Sequence, residues 1–134
     1  MSAIVADTQA IVWFLTDEPL LSPAALTAFR AAINVGDPIY IASISLVEVT
    51  YLVEKGKLLR VVLTTMRRVL STQNSDFELV PLDFNVARAL EQIPRDIVPD
   101  MPDRIIAATA LHLNLSLVTS DHKIQASPQI STIW

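Results

Sequence analysis

The sequence predicts an α/β domain of three layers, a central parallel sheet of four to five short strands with helices on both faces, filled by residues 1–134 as one unit. Three observations predict it. Short β-branched runs alternate with longer segments of helical periodicity, the order that a parallel sheet with crossover helices requires. The length of 134 residues suits one core and leaves no room for a second full domain. The chain is 51% hydrophobic, yet acids, prolines and amides interrupt every apolar stretch before it reaches the roughly eighteen residues of a membrane span.

Residues 3–6 read as the first strand, apolar throughout because a central parallel strand is buried on both faces, and ending at Asp7. Thr8–Leu15 follows as a short helix. Ser22 and Pro23 supply a cap and a first-turn proline for a helix over 23–33, and Gly36-Asp37-Pro38 then turns the chain. Ile39, Tyr40 and Ile41 make the second strand. Ser45 and Glu48 have capping-box spacing, which opens a helix running to Gly56. Over 58–72, Leu59, Val62, Leu63, Met66, Val69 and Leu70 fall on one helical stripe with Arg60, Arg67 and Arg68 off it. The two helices form a hairpin hinged at Gly56.

Residues 77–82 make the third strand, and Asp83 caps a helix over 84–93. The stretch 94–102, with three prolines and two acids, is the least regular. Pro102 stands where an Ala-rich helix begins, so that Asp103 falls in its first turn; the helix reaches Leu113 and stops at Asn114. Residues 115–119 form the fourth strand with Asp121 just past its end, and 130–134 add a short final strand. No internal repeat, low-complexity tract or linker is visible.

Composition closes several routes to function. Without cysteine there is no disulfide framework, thiol catalysis or cysteine zinc site, and His112 and His122 are too few for a histidine-rich metal centre. Gly36 and Gly56 stand alone, so neither a dinucleotide-binding turn nor a Walker loop is present. A net charge of -4 argues against an open basic surface gripping nucleic acid by counterion release alone. The first residues, 1–5, lack the basic start and long apolar run of a signal peptide, so a soluble, cytoplasmic protein is expected.

The chemistry rests with the acids. Asp7 and Asp121 each follow a buried strand, and in parallel sheets ligands bind beyond the strand carboxyl ends. Each also has a local reading as a helix cap. Glu48 could complete the capping box with Ser45, and Asp103 could complement a helix dipole. Singly, all four are explicable without function. Together, Asp7, Glu48, Asp103 and Asp121 lie on four segments that a doubly wound topology would deliver to one edge. Clustered carboxylates repel unless a cation or proton intervenes. The sequence has no matching cluster of Lys or Arg, so hard divalent cations with oxygen ligands fit, and with them metal-assisted phosphodiester hydrolysis.

At these residues the chain resembles the PIN-domain ribonucleases, specifically the VapC-like toxins of toxin–antitoxin pairs. Val5-Ala6-Asp7-Thr8 is similar to the family's opening strand and first acid, and Ser43-Ile44-Ser45-Leu46-Val47-Glu48 to its serine-rich approach to the helical Glu. Pro102-Asp103-Arg104-Ile105-Ile106-Ala107-Ala108-Thr109-Ala110 resembles the third-acid helix, and Leu117-Val118-Thr119-Ser120-Asp121 the last strand and fourth acid. The resemblance implies a Mg²⁺- or Mn²⁺-dependent endoribonuclease, a homodimer, RNA as substrate, and inhibition by a cognate antitoxin protein. It also implies that Asp7, Glu48, Asp103 and Asp121 are the catalytic and metal-binding acids, with Thr119 as an auxiliary hydroxyl and Asp100 as an extra acid of less uniform position. Asp100 reads equally as a turn residue.

Gln9 stands where many relatives carry histidine or serine nearby. Arg104 could touch phosphate or hold structure, with structure favoured. His122 and Lys123 flank the site and also read as exposed loop residues. The arginines of the 58–72 helix read as a solvated face or as a partner surface. Two other α/β chemistries fit less well: a haloacid-dehalogenase-like phosphatase needs a second Asp where Gln9 stands, and a receiver-like phosphoacceptor module needs a Lys ending a later strand. An inactive PIN fold kept for protein binding is the alternative from another class.

Overall fold

A computed structural model describes residues 2–134; Met1, part of the N-terminal stretch read above, lies outside them. Five parallel strands, β1 (Ile4–Ala6), β2 (Ile39–Ala42), β3 (Phe77–Val80), β4 (Leu117–Val118) and β5 (Thr132–Ile133), stand in the order β3-β2-β1-β4-β5. Val5 of β1 pairs with Tyr40 on one side and Leu117 on the other. This is the three-layer α/β/α fold that the alternating pattern predicts.

Among the described residues seven helices cover the sheet: α1 (Thr8–Leu15), α2 (Pro23–Val35), α3 (Ser43–Glu54), α4 (Arg60–Ser71), α5 (Phe84–Ala89), α6 (Met101–Leu113) and α7 (His122–Gln125). Because side chains alternate along a strand, β1 feeds two cores. Ile4 and Ala6 face a layer that includes Ile11, Phe29, Leu63 and Met66, while Val5 faces Val86, Ile106, Ala107 and Ile124. Phe29 is fully buried, and Phe14 stacks on it with ring centroids 4.4 Å apart.

Winding runs outward from β1 through β2 to β3, then α5 and α6 return the chain across the sheet to β4. The direction therefore reverses between β1 and β4, and the crevice beyond their carboxyl ends is the topological switch point where such sheets bind ligands.

Several boundaries move from the predicted ones, each for a physical reason. Strand β2 runs into α3 without a loop, so the helix starts at Ser43, two residues before the predicted Ser45. The capping box does not form: Ala42 is the N-cap, and Ser45 is buried inside the first turn. Helix α2 runs on to Val35 before Gly36 ends it at φ 75°. The predicted 84–93 helix ends at Ala89, and a single 3-10 turn, Leu90–Gln92, brings Ile93 into the core. The proline-rich stretch is anchored by buried Ile93 and Val98, whose N–H donates to Pro94 over 2.9 Å. Asp100 caps α6, which begins one residue before Pro102. Helix α7, a single turn capped by Asp121, lies beyond the elements that the sequence pattern predicts.

Candidate active site

The structure brings Asp7, Glu48, Asp103 and Asp121 to the lining of one cavity of about 240 Å³, with Thr8, Gln9, Ser120 and the apolar walls Val12, Leu52, Leu58 and Ile106. Among the described residues no Lys, Arg or His side chain lines it. Asp7 follows β1 and Asp121 follows β4, so the pair flanks the switch point. Glu48 comes from the second turn of α3 and Asp103 from the first turn of α6.

The local cap readings and the shared-site reading hold together. Asp7 caps α1, its Oδ1 accepting from the Ala10 N–H at 2.8 Å, and Asp121 caps α7 by accepting from the Lys123 and Ile124 N–H groups. A cap uses only part of a carboxylate's roughly four lone-pair sites. The remaining oxygen capacity is what a ligand can use.

The electrostatics record the crowding. Burial pushes the Asp7 carboxyl up to about 6, with Asp121 and Glu48 adding repulsion against the lowering bonds from Thr119 and Ala10. Burial likewise raises Asp103 to about 7; Asp100, Asp121 and Glu48 add charge repulsion, and a hydrogen bond to Asp121 favours its protonated form. Glu48 is raised by burial and by Asp100, and held down by Thr8. The shifts have one common origin: carboxylates gathered out of water with no cationic side chain among them.

Hydroxyls organise the acids. Thr8 Oγ1 lies 2.5 Å from Glu48 Oε1 and 2.9 Å from Ser45 Oγ. With one proton, Thr8 donates to the carboxylate while accepting from Ser45. Fully buried Thr119 accepts from the Asp121 N–H at 3.0 Å, and its hydroxyl holds the Asp7 carboxyl down against burial, so one residue neighbours both strand-end acids. Thr119 is expected from the sequence as an auxiliary hydroxyl, whereas Thr8 and Ser120 join the site only in the structure. The signal for Thr8 was its place next to Asp7, which on its own reads as the first residue of a helix.

The remaining candidates fall outside the cavity lining. Asp100 is exposed and accepts from the Asp103 N–H at 3.1 Å, joining cap and charged neighbour in one residue. Arg104 points away from the acids: Nε and Nη2 donate to the Ile93 carbonyl at 3.1 and 2.9 Å, and Nη2 to Leu90 at 3.0 Å. It holds structure, although through carbonyls rather than the neighbouring acid that pairing would have used. His122 and Lys123 are exposed and do not line the cavity.

Donor chemistry and spacing decide whether the residues suit a divalent cation. The charged donors are all carboxylate oxygens, which hard cations prefer. Among the described residues, no three His, Cys, Asp or Glu side chains stand close enough together to hold an ion directly. The donor type therefore suits a hard cation, while the spacing does not bring three of these side chains onto one ion.

Fold and cavity together define a class: α/β domains that present carboxylates at the carboxyl edge of a parallel sheet. Within it, the family signature runs from residue 4 to residue 128, and the chain belongs to the PIN domain family. Ribonuclease VapC22 of Mycobacterium tuberculosis (strain ATCC 25618 / H37Rv) is 26% identical over 137 residues, covering 100% of both chains. A chain of VapBC2 from Rickettsia felis, solved bound to a DNA fragment from their promoter, superposes with a TM-score of 0.72 at 20% identity, covering 97% of this chain and 96% of that one. A chain of a toxin–antitoxin complex from Klebsiella pneumoniae gives 0.62 at 21% identity, covering 96% of each. At such identities the structural likeness speaks for the fold.

Proposed function

We propose that this PIN-domain chain is a Mg²⁺- or Mn²⁺-dependent endoribonuclease, the toxin of a toxin–antitoxin pair, and that it hydrolyses RNA phosphodiester bonds at the four-acid cavity. The observation that carries the reading is the convergence of Asp7, Glu48, Asp103 and Asp121 on one partly buried cavity that, among the described residues, no cationic side chain lines. Their mutual repulsion opposes folding unless a cation or a proton offsets it. The ribonuclease name of the mycobacterial relative supports the same activity. The toxin–antitoxin complex among the structural neighbours supports an antitoxin partner.

In this reading Asp7, Glu48, Asp103 and Asp121 would together attract and hold the cation, which would supply polarisation of a phosphoryl oxygen and a more acidic water. The chain's own contribution is placement. Thr119 holds the backbone that carries Asp121, Thr8 aims Glu48, and the Asp100 cap sets the first turn that carries Asp103. Asp103, raised to about 7, takes up and releases a proton near neutrality while the site is without an ion. A homodimer acting in the cytoplasm completes the proposal; among the described residues no helix is long and apolar enough to cross a membrane.

The test is cleavage by purified chain freed of any partner. With Mn²⁺ the wild type should cut RNA, EDTA should stop it, and Asp7→Asn should lose on the order of 100-fold or more. RNA left intact by wild type and Asp7→Asn alike would remove the proposal. That result would favour a catalytically silent PIN module for protein binding, the reading to which the loose carboxylate spacing lends weight.

A further inference from the structure

The positive charge of this chain is segregated. Residues 49–75 carry five of the ten Lys and Arg, namely Lys55, Lys57, Arg60, Arg67 and Arg68, and only one of the fourteen acids, Glu54. All five cations are exposed. Outside this stretch thirteen acids stand against five Lys and Arg, so the second half of α3, the turn and α4 are the stretch of chain most favourable to a polyanion.

That surface leads to the cavity. Glu48, Tyr51, Leu52 and Lys55 follow the i, i+3, i+4, i+7 spacing of one helix face. Glu48 and Leu52 line the acid cavity, whereas Tyr51 is 59% exposed and Lys55 lies at the outer end. Gly56, at φ 74°, ends the helix, and the Lys57 N–H closes the turn on the Leu52 carbonyl at 2.8 Å. Leu58 then returns to the cavity wall, so Lys57 and Arg60 bracket a residue that touches the site. Arg67 and Arg68 sit about two turns further along α4, away from this rim.

We infer that the α3–α4 hairpin is the track along which single-stranded RNA reaches the cavity, with Tyr51 stacking a base and Lys55, Lys57 and Arg60 taking successive phosphates. The inference rests on the ribonuclease reading of the cavity. A cavity of four acids repels the phosphates it must admit, and cations at its rim offset that repulsion. An exposed aromatic ring beside cations is the combination that binds unpaired strands, because each base offers a face for stacking and each phosphate a charge.

The experiment measures fluorescence anisotropy of a labelled single-stranded RNA of about a dozen mixed nucleotides, in EDTA so that nothing is cut, across a salt series near 100 mM. The Lys55→Gln/Lys57→Gln/Arg60→Gln variant should bind roughly tenfold more weakly and lose about 2 from the salt slope, since each single-strand phosphate contact contributes about 0.7. Tyr51→Ala should cost about fivefold or more, with Tyr51→Phe close to wild type. Arg67→Gln/Arg68→Gln is the control and should bind as wild type. Thermal melts check folding; if the triple variant does not fold, Lys57→Gln alone and the Tyr51 pair carry the test. Equal binding by triple variant and wild type, or an equal loss in the control, overturns the track. If Mn²⁺-dependent cleavage persists with unchanged KM in the triple variant, the track fails and the ribonuclease reading stands. A wild type that neither binds nor cuts overturns both.

Discussion

Thr8 and Glu48 are forty positions apart, yet the Thr8 hydroxyl meets Glu48 Oε1 at 2.5 Å, and this bond fastens the first turn of α1 to the acid of α3. It also opposes the burial that raises Glu48. Thr8→Val should therefore raise the Glu48 pKa further. It should cost about 1–2 kcal/mol of stability at alkaline pH, where the carboxylate is ionised, and less in acid, where it is not. Thr8→Ser should restore both. Urea unfolding at the two pH values checks this, and an equal cost at both would count against a role in holding the charged form.

Asp7 at about 6 and Asp103 at about 7 both lie above their ordinary 3.8. Between those values the folded state holds more protons than the unfolded one. The stability they contribute is complete below about pH 4 and is lost as pH rises through 6 and 7. Metal-free protein should thus melt at a lower temperature near pH 8 than near pH 5. Asp103→Asn, which cannot ionise, should flatten that slope and melt a few degrees higher than wild type near pH 8. Mn²⁺ should raise the wild-type melting temperature most at the alkaline end, because that is where the repulsion it offsets is greatest. A wild-type curve that rises from pH 5 to 8 without metal would contradict the reading of these groups.

Arg104 ties α6 to the turn before it through the Leu90 and Ile93 carbonyls. Arg104→Ala leaves half-buried carbonyls without their charged donor and should lower stability by about 2–4 kcal/mol. Arg104→Lys, with a compact ammonium in place of the planar fork, should recover only part. Denaturant midpoints measure this directly.

Asn114 closes α6 in the left-handed region at φ 54°, its N–H reaching the Ala110 and Leu111 carbonyls. Asn114→Gly should be neutral within a few tenths of a kcal/mol, while Asn114→Val should cost about 1–2 kcal/mol from backbone strain. A melting comparison of the two separates strain from loss of the amide.

The elements and the acids were legible because their signals are local. An all-apolar strand ending in Asp, a proline opening a helix and an Asn closing one can each be read from a few neighbouring residues. For that reason β1, α2 and the limits of α6 fell close to prediction, and Asp7, Asp103 and Asp121 stood out by position. The capping box at Ser45 and Glu48 failed for the opposite reason. Its spacing satisfied a local rule, but β2 passes straight into α3, and the Leu82 N–H docks on Ser43 Oγ at 3.1 Å where the helix begins.

Tertiary structure decided the rest. The order β3-β2-β1-β4-β5 sets Asp7 beside Asp121, and no pattern within either strand encodes which strand lies next to which. Thr8, Ser45 and Glu48 meet because α1 packs on α3, and Arg104 reaches Leu90 and Ile93 because α6 folds back on α5. Local residue chemistry sets where an acid stands along a strand or helix. Burial and the packing of distant segments set which acids share a cavity, and so how far their charges repel.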